Sequence, residues 1–364
     1  MSARPFTTLD AGPAGSWPHA AAGNGPVGAS VRHLMDLSQF FGRGMHDWPD
    51  ALTSETRRHL AGCLASIETA FAVAARDNAI GRLLTLIDGP IVWPAVQRHP
   101  HILSPEVLAH MRLRAAVGLL GGQAVRGDGD AAAEPAQGSG WLIGDDDPAL
   151  VEIAAALALA EARWSSSGNA SASVPADLPA ENFAELVWTG AALLGTALHS
   201  GGLAERHVAM AAMTEAAYSM LARHQEEAGG FALAIRLARI LRDRGRHAEL
   251  LGQALAERRY LLFAALAGEL ADVEMEAVLD VLVHGGDAQL AALCRALGGT
   301  ASDYRHLLMD LRVVRGERDD PALVRLAQNY DALQDDDVAA ETVALRLPAA
   351  LRAKLAMIPA VEQG

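Results

Sequence analysis

The sequence has 364 residues, a formal net charge of −14, 51% hydrophobic residues and 5% aromatics. The acidic balance argues against general nucleic-acid affinity, because neutralising phosphates requires a basic surface. Much of the hydrophobic share is alanine, the best helix former, and no run of alternating β-branched residues calls for a sheet, so the composition predicts an all-α protein.

Of the 30 basic residues 29 are arginine, and Lys354 is the single lysine. Selection for bidentate anion contacts would give this bias. Coding bias in a GC-rich genome would too, and the abundance of Ala and Gly favours it. Cys63 and Cys294 are far apart, each inside a predicted helix, which fits packing thiols in a reducing compartment. The opening MSARPFTTLDAGPAG lacks the continuous apolar core of a signal peptide. The longest apolar stretches, 153–160 and 191–198, fall well short of the ~20 residues of a membrane span. A cytoplasmic protein without a membrane span is expected.

Residues 1–30, rich in Gly, Pro and Ala, predict a disordered tail. A short helix is expected from Val31, in VRHLMDLSQFF. Thr53 reads as the N-cap of a long helix to about Arg76, with Glu55 in its first turn and Leu60, Leu64, Ile67 and Phe71 as its apolar stripe. From Asn78 to Leu120 the chain reads as short helices separated by Gly89-Pro90 and Ser104-Pro105-Glu106. The latter combines a capping hydroxyl, a proline at the first helical position and an acid beside it. Such pieces cannot bury their apolar faces alone and are expected to stack. The helix from Pro105 is predicted to end at Gly121-Gly122.

Residues 122–147 read as a flexible acidic linker, and Asp147-Pro148 as the start of a helix to about Trp164. A loop near 165–180 follows. Helices are then expected at 181–199, 203–227, 231–244, 247–257, 259–270, 273–284, 288–297, 303–315, 322–334, 338–346 and 349–357, punctuated by Gly201-Gly202, Gly229-Gly230, Gly245, Asp272, Gly285-Gly286-Asp287, Gly298-Gly299, Ser302 and Asp320-Pro321. The expected organisation is an N-terminal helical lobe over 31–121 and a C-terminal one over 148–360.

Motifs that resemble chemistry have plainer readings. GNGPVG at 23–28 fits a dinucleotide fingerprint, but no strand precedes it and Pro26 lacks an amide hydrogen, so chance in a Gly/Pro tail is preferred. His46-Asp47 resembles a phosphotransfer pair, yet Gly42, Gly44 and Pro49 place it in a loop. His99, His101 and His110 lack both zinc-ligand spacing and a fourth ligand. Arg126-Gly127-Asp128 and Asn169-Ala170-Ser171 require an extracellular setting for which nothing else argues. Asp145-Asp146-Asp147 and Asp335-Asp336-Asp337 lack the spacing of a calcium loop and precede predicted helices, where acids complement the dipole. No metal or cofactor is expected, and no catalytic motif is found.

The strongest charge feature is 231–260, with seven arginines against three acids. At 100° per residue Arg236, Arg239, Arg242 and Arg246 share an arc of about 120°, opposite Leu237, Ile240 and Leu241. These four arginines are the candidate partner or anion surface, since guanidinium forks suit carboxylate and phosphate. The plainer reading is a solvated helix face partly neutralised by neighbouring acids.

Three segments together carry a resemblance. They are LTSETRRHLAGCLASIETAFAVAARD, PIVWPAVQRHPHILSPEVLAHM and LLGQALAERRYLLFAALAGELADVEMEAVLDVLVHGGDAQLAALCRAL. In apolar positions and turns they resemble the bacterial, mainly alphaproteobacterial, family called domain of unknown function 2336, over about residues 35–330. Where that family has an aspartate or Gly-Asp before the aromatic of the third segment, this chain has Arg258-Arg259-Tyr260-Leu261. The resemblance implies an all-helical, HEAT-like protein and carries no catalytic or binding residues. The expected function is a non-catalytic helical-repeat interaction or adaptor module with a protein partner. The alternative is a regulator binding an anionic ligand or nucleic acid through the arginine face.

Overall fold

A computed structural model describes residues 37, 40, 48–74, 79–84, 87, 89–127, 147–165, 174–316, 320–348 and 351–352. The expected tail, GNGPVG, His46-Asp47, Asn169-Ala170-Ser171 and most of the 122–147 segment lie outside them. The described residues are all-helical, without a strand. The helices are α1 (Asp50–Ala74), α2 (Ala79–Leu84), α3 (Val92–Arg98), α4 (Pro105–Gly127), α5 (Pro148–Ser165), α6 (Ala180–Ser200), α7 (Arg206–Arg223), α8 (Gly230–Asp243), α9 (His247–Ala256), α10 (Tyr260–Ala271), α11 (Met275–Val283), α12 (Asp287–Ala296), α13 (Ala301–Asp310), α14 (Arg312–Arg315), α15 (Asp320–Asp331) and α16 (Asp335–Leu345).

Most starts follow the local chemistry. Ser104 Oγ accepts from Val107 N at 3.2 Å and Asp147 Oδ1 from Ala149 N at 2.9 Å, satisfying amides that a helix start leaves open. Five expectations are corrected. The first long helix begins at Asp50, and Thr53 lies buried inside it with its amide bonded to the Pro49 carbonyl. α4 continues through Gly121-Gly122 to Gly127, and Gly121 serves a close helix approach: a Cβ there would lie 3.2 Å from Ser165 Oγ on α5. The capping residue of α13 is Thr300 rather than Ser302; it forms a reciprocal box with Asp303, whose carboxylate takes the Thr300 amide at 2.8 Å. The expected 303–315 helix divides at Leu311 into α13 and α14. The Asp335–Asp337 trio forms the first turn of α16 instead of preceding it.

The apolar side chains form two cores, and α4 runs through both. In one core, Val107, Leu108 and Met111 of α4 meet α1–α3, α6 and α7. In the other, Leu113, Val117 and Leu120 meet α5 and α8–α12, with α13–α16 completing it. The segment expected as a linker therefore lies between helices that touch, since α4 and α5 pack on each other. Their approach depends on Gly118, where a Cβ would sit 2.7 Å from the Trp164 carbonyl oxygen.

Where the cores meet, polar groups are buried in pairs. Arg114 of α4 is fully buried, reaching Asp177 Oδ1 at 2.7 Å and the Pro175 carbonyl at 3.0 Å, with its guanidinium 5.0 Å from the Trp164 ring. Burial raises the Asp177 carboxyl above its usual range, against the pull of Arg114. His59 and His110 are also buried and held toward the neutral form by desolvation, His110 down to about 3. Arginine also closes helix ends: Arg315 donates to the carbonyls of Val281, Leu282 and Gly285 beyond α11, and Arg346 Nε to that of Ala271 at 2.9 Å. A planar five-donor fork suits several carbonyls at once, so part of the arginine excess serves the fold.

Candidate ligand cleft

Between α9 and the α12–α13 corner lies a cleft of about 630 Å³. Its apolar lining comes from Leu251 and Leu255 of α9, Phe263 of α10, Leu293 and Leu297 around the end of α12, and Leu307 of α13. Glu257, Arg258, Asp303, His306 and Asp310 supply its polar groups. The volume falls in the range of small-ligand and peptide-side-chain sites.

The turn from α9 into α10 shapes one edge. Arg258 adopts φ +55°, and the amides of Arg258 and Arg259 return to the carbonyls of Leu255 and Ala254 at 3.0 and 2.8 Å. This is the paired-bond helix stop that normally carries glycine at the left-handed position. Gly245 and Gly298 occupy that position after α8 and α12. Placing arginine there costs about 1 kcal/mol of backbone strain, and its side chain gains Asp310: Arg258 Nη2 lies 3.2 Å from Oδ1. Tyr260 donates to the other oxygen, Oδ2, at 2.7 Å. Burial, then the Asp310 charge, hold the Tyr260 hydroxyl well above its ordinary value, so it stays a donor. Arg258-Arg259-Tyr260, the segment departing from the resembled pattern, thus ties α10 to α13.

Cys294 borders the cleft, but burial pushes its thiol up to about 11, which leaves it protonated at neutral pH. Asp303 is held below the usual carboxylate range, chiefly by the Thr300 amide, and stays charged.

Gly252 is the unusual residue. It sits in the middle of α9 on the cleft wall, and a Cβ added there meets nothing within 4 Å. At Gly118, Gly190, Gly195, Gly230 and Gly268 an added Cβ would instead come within 3.1 Å of a neighbouring atom. Glycine in a helix interior costs roughly 0.5–1 kcal/mol relative to alanine. At Gly252 neither a positive φ nor a close neighbour offsets that cost.

The sequence-predicted arginines are placed otherwise. Arg236, Arg239 and Arg242 are exposed on α8, and neither they nor Arg246 line this cleft. Arg239 Nε lies 3.5 Å from Glu269 Oε1, and Arg242 pairs with the other oxygen of Glu269 and with Asp243. A carboxylate from α10 therefore sits between the two central arginines. His99 and His101 stack edge to face at 6.0 Å, whereas His110 packs on Phe231 at 4.6 Å, in the core. No group of three His, Cys, Asp or Glu side chains among the described residues is arranged to hold a metal ion. No helix among them is long and apolar enough to cross a membrane.

Residues 174–344 match the model of a family described as an uncharacterised protein conserved in bacteria, DUF2336. The stretch similar to this family covers 171 of the chain's 364 residues. It runs from just before α6 nearly to the end of α16 and contains every residue lining the cleft. Of the three segments that carried the resemblance, the match takes in the third; the first two, in α1 and in α3–α4, lie before it. No curated protein and no solved structure matches the chain.

The cleft residues were not singled out by sequence reasoning. One signal was available: Gly252 interrupts an otherwise uniform amphipathic helix without any turn residue beside it.

Proposed function

We propose that this DUF2336 chain is a non-catalytic, HEAT-like interaction module of the cytoplasm, which docks a segment of a partner protein in the cleft between α9 and α13. The observation that carries the reading is a cleft with a leucine-rich wall and open space beside a mid-helix glycine. Leucines and a phenylalanine along its wall offer the anchoring surface that peptide recognition uses. The polar groups beside them are engaged in holding helices together, Asp310 by Arg258 and Tyr260 and Asp303 by Thr300, and the Cys294 thiol is protonated. Those assignments favour binding over turnover. The alternative, an anion site on Arg236, Arg239, Arg242 and Arg246, is disfavoured by Glu269, which already occupies Arg239 and Arg242.

The test is affinity capture from bacterial lysate with the wild-type chain and with Gly252→Trp, which fills the cleft from a position that has room. Discrete polypeptides retained by the wild type and lost from a folded Gly252→Trp variant are expected. An identical set on both would overturn the assignment to this cleft.

A further inference from the structure

The outer face of the α6–α7 pair is nearly bare of charge. Residues 188–196 and 208–222 include one charged side chain, Glu215, in a chain that carries −14 overall. On this face Trp188 of α6 and Tyr218 of α7 meet edge to face, their ring centroids 5.2 Å apart. They are the two aromatics among the exposed large apolar side chains of the described residues, and Tyr218 keeps 62% of its surface open. Val208, also exposed, and Ala211 fall within about 80° of Tyr218 around α7. The other side of each helix is spent in the core, through Leu186 and Leu194 on α6 and Met213 and Ala217 on α7. Tryptophan and tyrosine are the side chains that protein interfaces enrich, because each joins a large apolar body to a polar tip.

We infer that two copies of the chain pair through this face, about a two-fold axis that crosses α7 near Ser219. Area and charge both select a second copy. α7 has 18 residues and is about 27 Å long, and α6 is longer, so the two side by side offer about 500 Å² per copy. The pair then buries about 1,000 Å², the size at which specific interfaces begin. Two chains of −14 repel wherever acids are dense, which favours contact where they are sparse. A face paired with itself must also keep its own charges from meeting their like. Glu215 and Arg223 lie four residues either side of Ser219, both exposed and about 80° apart around α7. Neither has an ion-pair partner among the described residues. An antiparallel crossing of the two α7 helices at Ser219 sets each Glu215 against Arg223 of the other copy, twice over. Tyr218 then falls next to the axis, at the centre, where binding energy concentrates. The cleft takes no residue from α6 or α7, so the pairing and the docking reading stand or fall separately.

Sedimentation velocity of the full chain at about 1 to 100 μM tests this. The wild type is expected to pass from monomer to dimer within that range. Tyr218→Glu should raise the dissociation constant about 100-fold or more, since the residue enters the interface twice. Glu215→Arg should raise it about ten-fold by setting arginine against arginine. Glu215→Arg/Arg223→Glu should return it to the wild-type value, because the same pairs re-form with their charges exchanged. All three positions are exposed, and circular dichroism confirms that each variant is folded. A wild type that stays monomeric at about 100 μM, or a dimer indifferent to Tyr218→Glu, would overturn pairing through this face. A double variant no tighter than Glu215→Arg alone would overturn the two-fold crossing at Ser219.

Discussion

Two glycine-to-alanine substitutions, in adjacent helices, should shift stability in opposite directions. In Gly252→Ala the new methyl enters open space on a helix of ten residues, so the helix-propensity gain of about 0.5–1 kcal/mol is expected nearly in full. In Gly230→Ala, at the first residue of α8, the methyl would lie 2.6 and 2.7 Å from Trp164 Cη2 and Cζ2. Carbon atoms prefer about 3.5–4.0 Å, so the ring or the helix must move by roughly 1 Å. Trp164 is fully buried, with Phe231 at 5.7 Å and the Arg114 guanidinium at 5.0 Å, and cannot turn aside freely. Overpacking of that kind costs about 1–3 kcal/mol. With a urea m-value of about 3 kcal/mol/M, the midpoint should rise by about 0.2–0.3 M in Gly252→Ala and fall by about 0.3–1 M in Gly230→Ala. Equilibrium urea unfolding followed by far-UV circular dichroism measures both. A lowered midpoint for Gly252→Ala would refute the claim that this glycine is spared by packing. A raised one for Gly230→Ala would refute the close seat of Trp164.

Two other substitutions probe the turn and the buried histidine. At Arg258, glycine relieves the left-handed strain that alanine keeps, while both lose Asp310, so Arg258→Gly should unfold at a higher urea concentration than Arg258→Ala by the equivalent of about 1 kcal/mol; the reverse order would contradict the turn geometry. His110 is held neutral down to about 3 against 6.5 in the unfolded chain, so the unfolded state takes up a proton first as pH falls. Its contribution is fully present above about pH 6.5 and is lost toward pH 3, at up to about 1.4 kcal/mol per pH unit. His110→Leu should flatten the decline in stability between pH 7 and 5, and a slope equal to that of the wild type would show that His110 is not the group responsible. His59 acts in the same direction, whereas Asp177 and Glu161, raised by burial, oppose it at lower pH.

Helix order and most helix ends were legible because punctuation and periodicity agree: the expected 231–244 and 247–257 are Gly230–Asp243 and His247–Ala256. Two of the failures share a cause, that a glycine or threonine has two uses which a single sequence does not separate. Gly121-Gly122 reads as a helix stop, but Gly121 lies against Ser165 of α5, where a Cβ would come within 3.2 Å of its hydroxyl. Thr53 reads as a cap, but Leu52 beside it is buried, and that burial begins the helix earlier. Arg236, Arg239 and Arg242 lie on the exposed side of α8, away from the buried Leu237 and Leu241, whereas Arg246 falls beyond the end of that helix. The neutralisation of Arg239 and Arg242 by Glu269 depends on how α8 and α10 pack, which local spacing does not encode. The cleft was invisible for the same reason, since Gly252 and Asp303 line one cleft only after the three helices between theirs have folded.

The family match and the folding unit do not coincide. Within the matched residues, α6 turns Phe183, Leu186, Val187 and Leu194 toward a core completed by Leu64, Ile67 and Phe71 of α1, which precede the match. A Cβ on Gly190 of α6 would already be 3.1 Å from Ile67 Cγ2 and 3.3 Å from the Phe71 ring. Glu185 of α6 also takes the backbone amide of Ser104, at 2.7 Å, and its hydroxyl, so a residue of the region supports the start of α4. Burying four such side chains is worth on the order of 10 kcal/mol, comparable with the whole stability of a typical domain. The N-terminal helices are therefore structural partners of α6 and α7 rather than an appendage. The cleft takes no residue from them. Its walls are built by α9–α13, all within the matched residues.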